Sequence, residues 1–302
     1  MSNRTPVIIV LAVLTLVSCV ALQSACGGGH SILQTPVPSS QPTFDHVVLV
    51  VEENHSYTEV MNGSMPYLSS LASQYGEATQ YFANAHPSLP NYMMLTTGLP
   101  ETLNDNFSGT VTDDNVVREL KNAGKTWKAY VESLPSPAYL GADNGSYARR
   151  HNPFSYFKDL QQDSTQAANL VPFTQFSADL ANNALPQYAF IAPNLSNDAH
   201  DGSLAQADAW LQTNIGPLIA NPSFQSSGLL IITFDEGDQS DISYGGGQVA
   251  TLIISSKAKK GYQSKTFYQH PSVLRLMLAG LGVDSFPGTS AVAPDMTEFF
   301  MQ

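Results

Sequence analysis

Acidic and imidazole side chains cluster in a few short stretches of a chain in which charged residues make up only 13% of 302 residues. Four polar stretches directly follow short apolar runs: residues 52–55, Glu132, residues 194–201 and residues 235–238. Carboxylates that converge on one place repel each other unless a cation lies between them. The pattern therefore predicts a site for a divalent metal with oxygen and nitrogen ligands. For any single carboxylate, a turn or helix-capping role is the alternative.

The segment HPSLPNY, residues 86–92, places Ser88 near the start of a predicted helix. Pro90 suits a first helical turn, and the apolar residues that follow continue the helix. Backbone N–H groups at a helix start favour an anion. Ser88 is therefore a candidate nucleophile, which a bound metal would activate, and a simple capping serine is the alternative.

Alternating strands and helices are expected to position these residues. Strands are predicted over residues 46–51, 127–131, 188–192, 229–234 and 249–254, and helices over residues 66–75, 115–123, 204–220 and 271–279. Several strands are apolar throughout, which is typical of strands covered on both faces. The order predicts an α/β fold with a mostly parallel sheet and helices on both sides. In such folds the ligand lies beyond the carboxyl ends of the strands.

The composition excludes several classes of protein. Thirteen Lys and Arg against 25 Asp and Glu give a net charge of −12, which argues against nucleic-acid binding and against adsorption to anionic lipid through a basic patch. The two cysteines, Cys19 and Cys26, both lie in the N-terminal segment. The body of the chain therefore has no disulfide, no catalytic thiol and no Cys-ligated zinc.

Residues 1–26 are predicted to be an export signal, with Arg4 before an apolar run that is short for a membrane-spanning helix. A cysteine near its end indicates a bacterial lipoprotein signal. Lipidation of Cys26 is favoured over Cys19 because a Gly-rich stretch follows it, and an ordinary secretory signal is the alternative. Residues 27–42 are predicted to be a flexible linker and residues 43–302 the catalytic domain. We expect a periplasmic or cell-surface lipoprotein, or a secreted protein.

The motifs resemble a known family in their order and spacing. HVVLVVEENHS, residues 46–56, resembles the opening of the bacterial phosphoesterase family that holds acid phosphatases and phospholipases C. HPSLPNYMMLTTG is similar to the nucleophile loop of nucleotide pyrophosphatase/phosphodiesterases, which belong to the alkaline phosphatase superfamily. APNLSNDAHDG, ADAWL, IITFDEGD and YQHPSVLRLM follow in the family's order. The resemblance covers roughly residues 44–300 and implies an alkaline phosphatase-like, three-layer αβα sandwich.

The resemblance also implies a role for each matched position. The metal ligands would be Glu53, Asn54, Asp235 and Glu236, and Ser88 would be the nucleophile. Asn91 would hold a phosphoryl oxygen, His200 and His270 would be catalytic, and His151, Asn152 and Asp198 would bind substrate. Arg149 and Arg150, in the segment YARRHNPF, could also engage the substrate. Asp235-Glu236 stands where two-zinc relatives carry an Asp-His pair, so we expect one divalent metal (Ca, Mg, Mn, Zn or Fe), with a second as the alternative.

The expected activity is acid phosphatase-like hydrolysis of phosphate monoesters through a phosphoserine intermediate. A phosphodiesterase of the phospholipase C type is one alternative, and a non-catalytic surface lipoprotein is another. The expected substrate is a small-molecule or lipid phosphate ester. We expect no nucleic-acid partner, membrane contact only through the lipid anchor, and a monomer.

Overall fold

The central strands of the protein are continuous apolar runs. The computed structural model describes residues 41–300. Strands β1 (His46–Glu52), β6 (Tyr188–Ala192) and β7 (Gly228–Phe234) are buried at every position except His46. Burial on both faces explains why these strands show no alternation of polar and apolar residues.

A mostly parallel sheet of eight strands forms the centre of the described part of the chain. The other strands are β2 (Gly76–Ala78), β3 (Tyr81–Phe82), β4 (Trp127–Val131), β5 (Leu170–Pro172), β8 (Thr251–Ile254), β9 (Tyr262–Ser264) and β10 (Tyr268–Gln269). The order is β5-β4-β6-β1-β7-β8-β2-β9, and β3 pairs separately with β10. The five strands β5, β4, β6, β1 and β7 lie side by side in this order and are parallel, whereas β8 runs antiparallel to both β7 and β2.

Helices occupy the connections between the strands. They are α1 (Tyr57–Glu59), α2 (Pro66–Gln74), α3 (Ser88–Met94), α4 (Val116–Asn122), α5 (Lys158–Gln161), α6 (Ser164–Ala167), α7 (Thr174–Ala181), α8 (Leu204–Asn214), α9 (Gly216–Ala220), α10 (Pro222–Ser227) and α11 (His270–Gly280). The predicted α/β class with a mostly parallel central sheet is confirmed.

The predicted elements agree with the structure to within two residues, with one exception. The single helix predicted over residues 204–220 was wrong, because the chain forms α8 and α9 with a break at Ile215. Pro217 lies in the first turn of α9 and has no N–H to continue the hydrogen bonds of α8. The apolar stripe continued through this break, so the periodicity alone could not reveal it.

The strand register brings the polar residues to one edge of the sheet. Glu52 of β1 pairs with Phe234 of β7, so Glu53 and Asp235 leave neighbouring parallel strands at the same level. The backbone N–H of Glu53 donates to the Asp198 carbonyl at 2.8 Å, which joins the loop after β6 to the same edge. Residues far apart in the sequence thus meet at the carboxyl ends of three adjacent strands.

The described residues belong to one compact unit. The predicted export signal, both cysteines and most of the predicted linker lie outside the described residues. Within residues 41–300, no helix has the length and apolar character needed to span a bilayer.

Candidate active site

Ser88 is the first residue of α3 and is almost completely buried. Its hydroxyl donates to Glu53 Oε2 at 3.0 Å, and Glu236 Oε1 lies 3.4 Å from the same oxygen. The candidate nucleophile and two of the predicted metal ligands therefore come together from three distant parts of the sequence.

Asn54 and Asp235 complete the predicted ligand set. Asn54 has a φ of 58°, in the left-handed region that asparagine adopts more readily than most residues. Its backbone N–H donates to Asp235 Oδ1 at 3.2 Å. Asn54 Oδ1 and Asp235 Oδ2 are both buried without a hydrogen-bond partner. Buried polar atoms are nearly always paired, so these two oxygens fit a site that a cation completes.

The environment of the carboxylates also supports a cation-binding site. Within residues 41–300, Glu53 and Glu236 pair only with histidines and form no ion pair with lysine or arginine. Burial raises the pKa of Asp235 to about 8, and burial followed by the charge of Asp235 raises the pKa of Glu236 to about 9. Burial also raises the pKa of Glu53 well above its usual value. Without a cation these groups hold protons, which a bound metal would displace.

Tyr92 holds the second oxygen of Glu53. Its hydroxyl donates to Glu53 Oε1 at 2.5 Å, while its ring stacks on His151 with 5.3 Å between the ring centroids. Tyr92 follows Ser88 by four residues, so both side chains lie on the same face of α3. In the sequence, Tyr92 is only part of an apolar run. The four-residue spacing is the signal that could have identified it.

His151 lies between Glu53 and Asp198. Its Nδ1 is 3.1 Å from Asp198 Oδ2, and its Nε2 is 3.2 Å from Glu53 Oε1. Burial lowers the pKa of His151 well below its usual value, which makes the ring neutral, and burial raises the pKa of Asp198 to about 7. One ligand atom from each of the three residues lies within 4.8 Å of the other two, so this group could also hold a metal ion.

Arg150 and His200 lie on the more open side of His151. The guanidinium of Arg150 donates to His200 Nε2 at 3.0 Å, so the proton of a neutral His200 ring is on Nδ1, which donates to Asp201 Oδ1 at 2.8 Å. The side chains of Arg150 and His200 are 18% and 27% exposed, in contrast to the buried carboxylates. This pair is therefore the part of the site that a solvent-borne anion can approach.

The two predicted asparagines lie at supporting positions. Asn91 Oδ1 accepts from the backbone N–H groups of Asn84 and Ala85 at 3.0 and 3.1 Å, and its Nδ2 donates to the Ala85 carbonyl at 2.7 Å. The amide of Asn91 is thus occupied by the loop before Ser88, and this position does not fit the predicted contact with a phosphoryl oxygen. Asn152 donates to the Tyr147 hydroxyl at 3.2 Å and leaves its Oδ1 buried without a partner.

His270 lies beneath Asp235 and is completely buried. Its Nε2 is 2.6 Å from the Asp235 carbonyl oxygen, and its Nδ1 is 3.1 Å from the Tyr81 hydroxyl. Because a carbonyl only accepts, Nε2 carries the proton, and burial lowers the pKa of His270 to about 4. Both nitrogens are occupied by protein groups, so neither is free to contact a substrate in the predicted catalytic role.

His86 is a site residue to which the sequence analysis assigned no role. Its Nδ1 is 2.7 Å from Glu236 Oε2, and its Nε2 is 3.0 Å from the Asp241 carbonyl oxygen. Its place two residues before Ser88 is the only sequence signal for it.

Glu132 has a structural role, although it also follows a strand. Its carboxylate accepts from the Asn194 N–H at 2.9 Å, from Asn197 Nδ2 at 3.0 Å and from Trp210 Nε1 at 3.2 Å. These bonds shape the loop after β6. Of the four polar strand ends, this one contributes no ligand to the cluster around Ser88.

Comparisons with known proteins identify the family of the chain. The chain matches the Phosphoesterase family over residues 59–284. It is 34% identical over 266 residues to the phosphatidylinositol-3-phosphatase of Mycobacterium tuberculosis, a match that covers 87% of this chain and 85% of that protein. It is 34% identical over 227 residues to an acid phosphatase of Aspergillus fumigatus, which covers 71% of this chain and 50% of the relative. The chain thus spans only half the length of the fungal enzyme.

Among solved structures, the chain is similar to a Vibrio parahaemolyticus protein of the alkaline phosphatase superfamily, with a TM-score of 0.62 and 13% identity. That match covers 86% of this chain and 71% of the other, and at this identity it shows the fold alone. The family match spans more than half of the chain, and a relative is 34% identical over most of its length. The chain therefore belongs to the Phosphoesterase family.

Proposed function

We propose that this protein hydrolyses phosphate monoesters through attack by Ser88, assisted by one divalent metal held by Glu53, Asn54, Asp235 and Glu236. One observation carries the proposal: the buried Ser88 hydroxyl lies within hydrogen-bonding distance of two carboxylates from separate strands. The similarity to two phosphatases, one of them acting on a phosphoinositide by its name, supports a small-molecule or lipid phosphate ester as substrate.

The proposed ligands offer three carboxylates and one amide oxygen. An all-oxygen set of this kind suits Mg²⁺, Ca²⁺ or Mn²⁺. When bound, such an ion would lower the pKa of the serine hydroxyl and neutralise charge on the phosphoryl oxygens. His151 Nδ1 contacts Asp198 at 3.1 Å, and its Nε2, which has no hydrogen-bond partner, faces Glu53 Oε1 at 3.2 Å. We assign His151 and Asp198 to positioning Glu53, and a second metal held by these three residues is the alternative.

The chain's own residues account for the remaining chemistry. With the hydroxyl proton released to solvent as its pKa falls, Ser88 Oγ would form the bond to phosphorus, and the bond from phosphorus to the leaving oxygen would break. Water would then cleave the phosphoserine and release inorganic phosphate. Arg150 and His200, on the open side, would contact the equatorial phosphoryl oxygens, where charge accumulates in the transition state. The leaving oxygen would take up a proton from solvent on this open side, because both ring nitrogens of His200 are engaged by Arg150 and Asp201.

The buried residues would position this machinery. We assign His270 to the backbone of Asp235, Asn91 to the loop before Ser88, and Asn152, with its unpaired buried oxygen, to the substrate side of His151.

Two adjacent glutamates provide a matched test of the metal ligands. Glu52 is also buried, but both of its oxygens lack partners, and burial and then the charge of Asp198 raise its pKa well above the usual value. The raised pKa favours the neutral form of Glu52, which a glutamine resembles, so Glu52→Gln should keep metal binding and activity within about threefold. Glu53→Gln should weaken metal binding at least about 100-fold, because losing even an outer-sphere partner costs about 10–100-fold. Elemental analysis and equilibrium dialysis measure both, and unchanged metal binding by Glu53→Gln would contradict the assignment.

Ser88→Ala should retain the metal and lose at least about 1,000-fold in kcat, because the covalent step needs the hydroxyl. Ser272→Ala is the control, since Ser272 is also buried and its hydroxyl has no partner. Acid-quenched reactions with ³²P-labelled substrate should trap labelled protein in the control but not in Ser88→Ala. Full activity of metal-loaded Ser88→Ala would show that Ser88 is not the nucleophile. Absence of turnover with Ca, Mg, Mn, Zn and Fe alike would favour the non-catalytic alternative.

The ester class can be tested with one pair of chromogenic substrates. A monoester dianion complements Arg150 and a divalent metal better than a diester with a single negative charge. We expect kcat/KM for p-nitrophenyl phosphate to exceed that for its bis ester by more than about tenfold, or about 1.4 kcal/mol. The reverse ratio would support the phosphodiesterase of the phospholipase C type.

We propose that the chain is exported and anchored through lipid on Cys26, because a charged start and an apolar run precede this cysteine. In a bacterial host, the wild-type protein should partition into detergent, and Cys26→Ala should move it to the aqueous phase. Cys19→Ala is the control and should leave partitioning unchanged. The opposite pattern would assign the anchor to Cys19, and an aqueous wild-type protein would indicate an ordinary secretory signal.

A further inference from the structure

His86 connects two of the loops that carry the candidate active site, the loop before Ser88 and the loop after β7. It belongs to the loop before Ser88, and both of its ring nitrogens contact the loop after β7. Its Nδ1 is 2.7 Å from Glu236 Oε2, and its Nε2 is 3.0 Å from the Asp241 carbonyl oxygen. Its side chain is only 20% exposed, so solvent contributes little to holding the ring in place.

The two partners determine how the protons are arranged. A carbonyl oxygen can only accept, so Nε2 must carry a hydrogen and donate it to Asp241. Nδ1 lies 2.7 Å from Glu236 Oε2, so this carboxylate oxygen is engaged by the imidazole.

The engagement of Oε2 determines which oxygen of Glu236 faces the nucleophile. Oε1 is the free oxygen, and it lies 3.4 Å from Ser88 Oγ. We propose that His86 is a positioning residue that holds Glu236 so that Oε1 faces Ser88 and the metal. This inference rests on the proposed function, because it takes Glu236 to be a metal ligand.

The loop after β7 is built to hold the Asp241 carbonyl in place. The Asp241 side chain accepts from the backbone N–H groups of Ser243 and Gln248 at 3.1 and 3.0 Å, which closes the loop on itself. The carbonyl that accepts from His86 is therefore held in a closed loop, and this loop also carries Glu236.

Two glycines bring this loop against the segment before His86. A Cβ on Gly245 would clash with the Asn84 carbonyl oxygen, and one on Gly246 would clash with the Ala85 carbonyl oxygen. Gly245 also has a φ of 109°, which other residues rarely adopt. The close backbone approach leaves His86 little freedom, so its two contacts are a consequence of the packing.

Three substitutions separate the two contacts of His86. The amide nitrogen of His86→Asn can replace Nδ1 and donate to Glu236, and that of His86→Gln can replace Nε2 and donate to Asp241. His86→Ala removes both. His46→Ala is the control, because His46 also contacts a backbone carbonyl, that of Pro186 at 2.9 Å, but at the opposite end of β1.

The primary measurement is the dissociation constant for the ion that the unsubstituted protein binds most tightly among Mg²⁺, Ca²⁺, Mn²⁺, Zn²⁺ and Fe²⁺. We expect His86→Ala and His86→Gln to raise it by about 10–100-fold, the usual effect of losing an outer-sphere partner. His86→Asn should stay within about threefold of wild type, as should His46→Ala. At saturating metal, kcat for p-nitrophenyl phosphate should fall more than KM changes in His86→Ala and His86→Gln.

Two results would overturn the inference. One is an unchanged dissociation constant in His86→Ala, and the other is equal loss in His86→Asn and His86→Gln, which would indicate a purely structural role for the ring. Melting temperatures in the presence of EDTA identify any variant that does not fold. Because metal binding is measured without substrate, the result stands even if Ser88→Ala shows that the proposed nucleophile is wrong.

Discussion

The constraint on which the site depends is the burial of several carboxyl groups around one serine hydroxyl. Glu53, Asp235 and Glu236 lie at the carboxyl ends of two adjacent parallel strands, in contact with or close to Ser88, and their pKa values are raised by burial. Like charges in a low dielectric repel strongly, so the cluster is stable only with protons or a cation between the groups. The unpaired oxygens of Asn54 and Asp235 fit a cation.

A second set of residues fixes the orientation of this cluster by using the remaining atoms of each ligand. Tyr92 takes one oxygen of Glu53, His86 takes one oxygen of Glu236, and His270 takes the backbone carbonyl of Asp235. Each contact leaves a different atom free to face Ser88 or a metal. The arrangement follows from the need to satisfy buried polar atoms, which also limits how far each ligand can rotate.

The electrostatics of the whole chain and of the site point in opposite directions. The chain carries a net charge of −12, which disfavours the approach of an anionic substrate. Arg150 and His200 form the partly exposed side of the site, and a divalent metal would add further positive charge there. The carboxylates of Asp105 and Asp143 lie 3.9 and 3.8 Å from the guanidinium of Arg150, so binding of an anionic phosphate ester would depend on the metal for part of the positive charge.

Much of this arrangement could be read from the sequence, because it depends on strand order and strand ends. Continuous apolar runs predicted the central strands, and parallel pairing places their carboxyl ends at one edge, so Glu53 and Asp235 were predicted to meet. The family motif added Ser88 to the same cluster. These inferences succeed because a continuous apolar run and the polar residues that end it are visible in the local sequence, and parallel strands place those ends at one edge of the sheet.

The tertiary structure alone decided which atoms of these residues are free. The sequence pattern does not distinguish Glu132 from the other acidic residues that follow strands. In the structure, three hydrogen-bond donors from a neighbouring loop and helix occupy the Glu132 carboxylate. The sequence also predicted a phosphoryl contact for Asn91 and a catalytic role for His270, and it assigned nothing to His86. Backbone groups occupy the amide of Asn91, and the Asp235 carbonyl and the Tyr81 hydroxyl occupy the ring of His270. Side-chain hydrogen bonding depends on which distant groups pack within about 3 Å, and no local pattern of residue types encodes that distance.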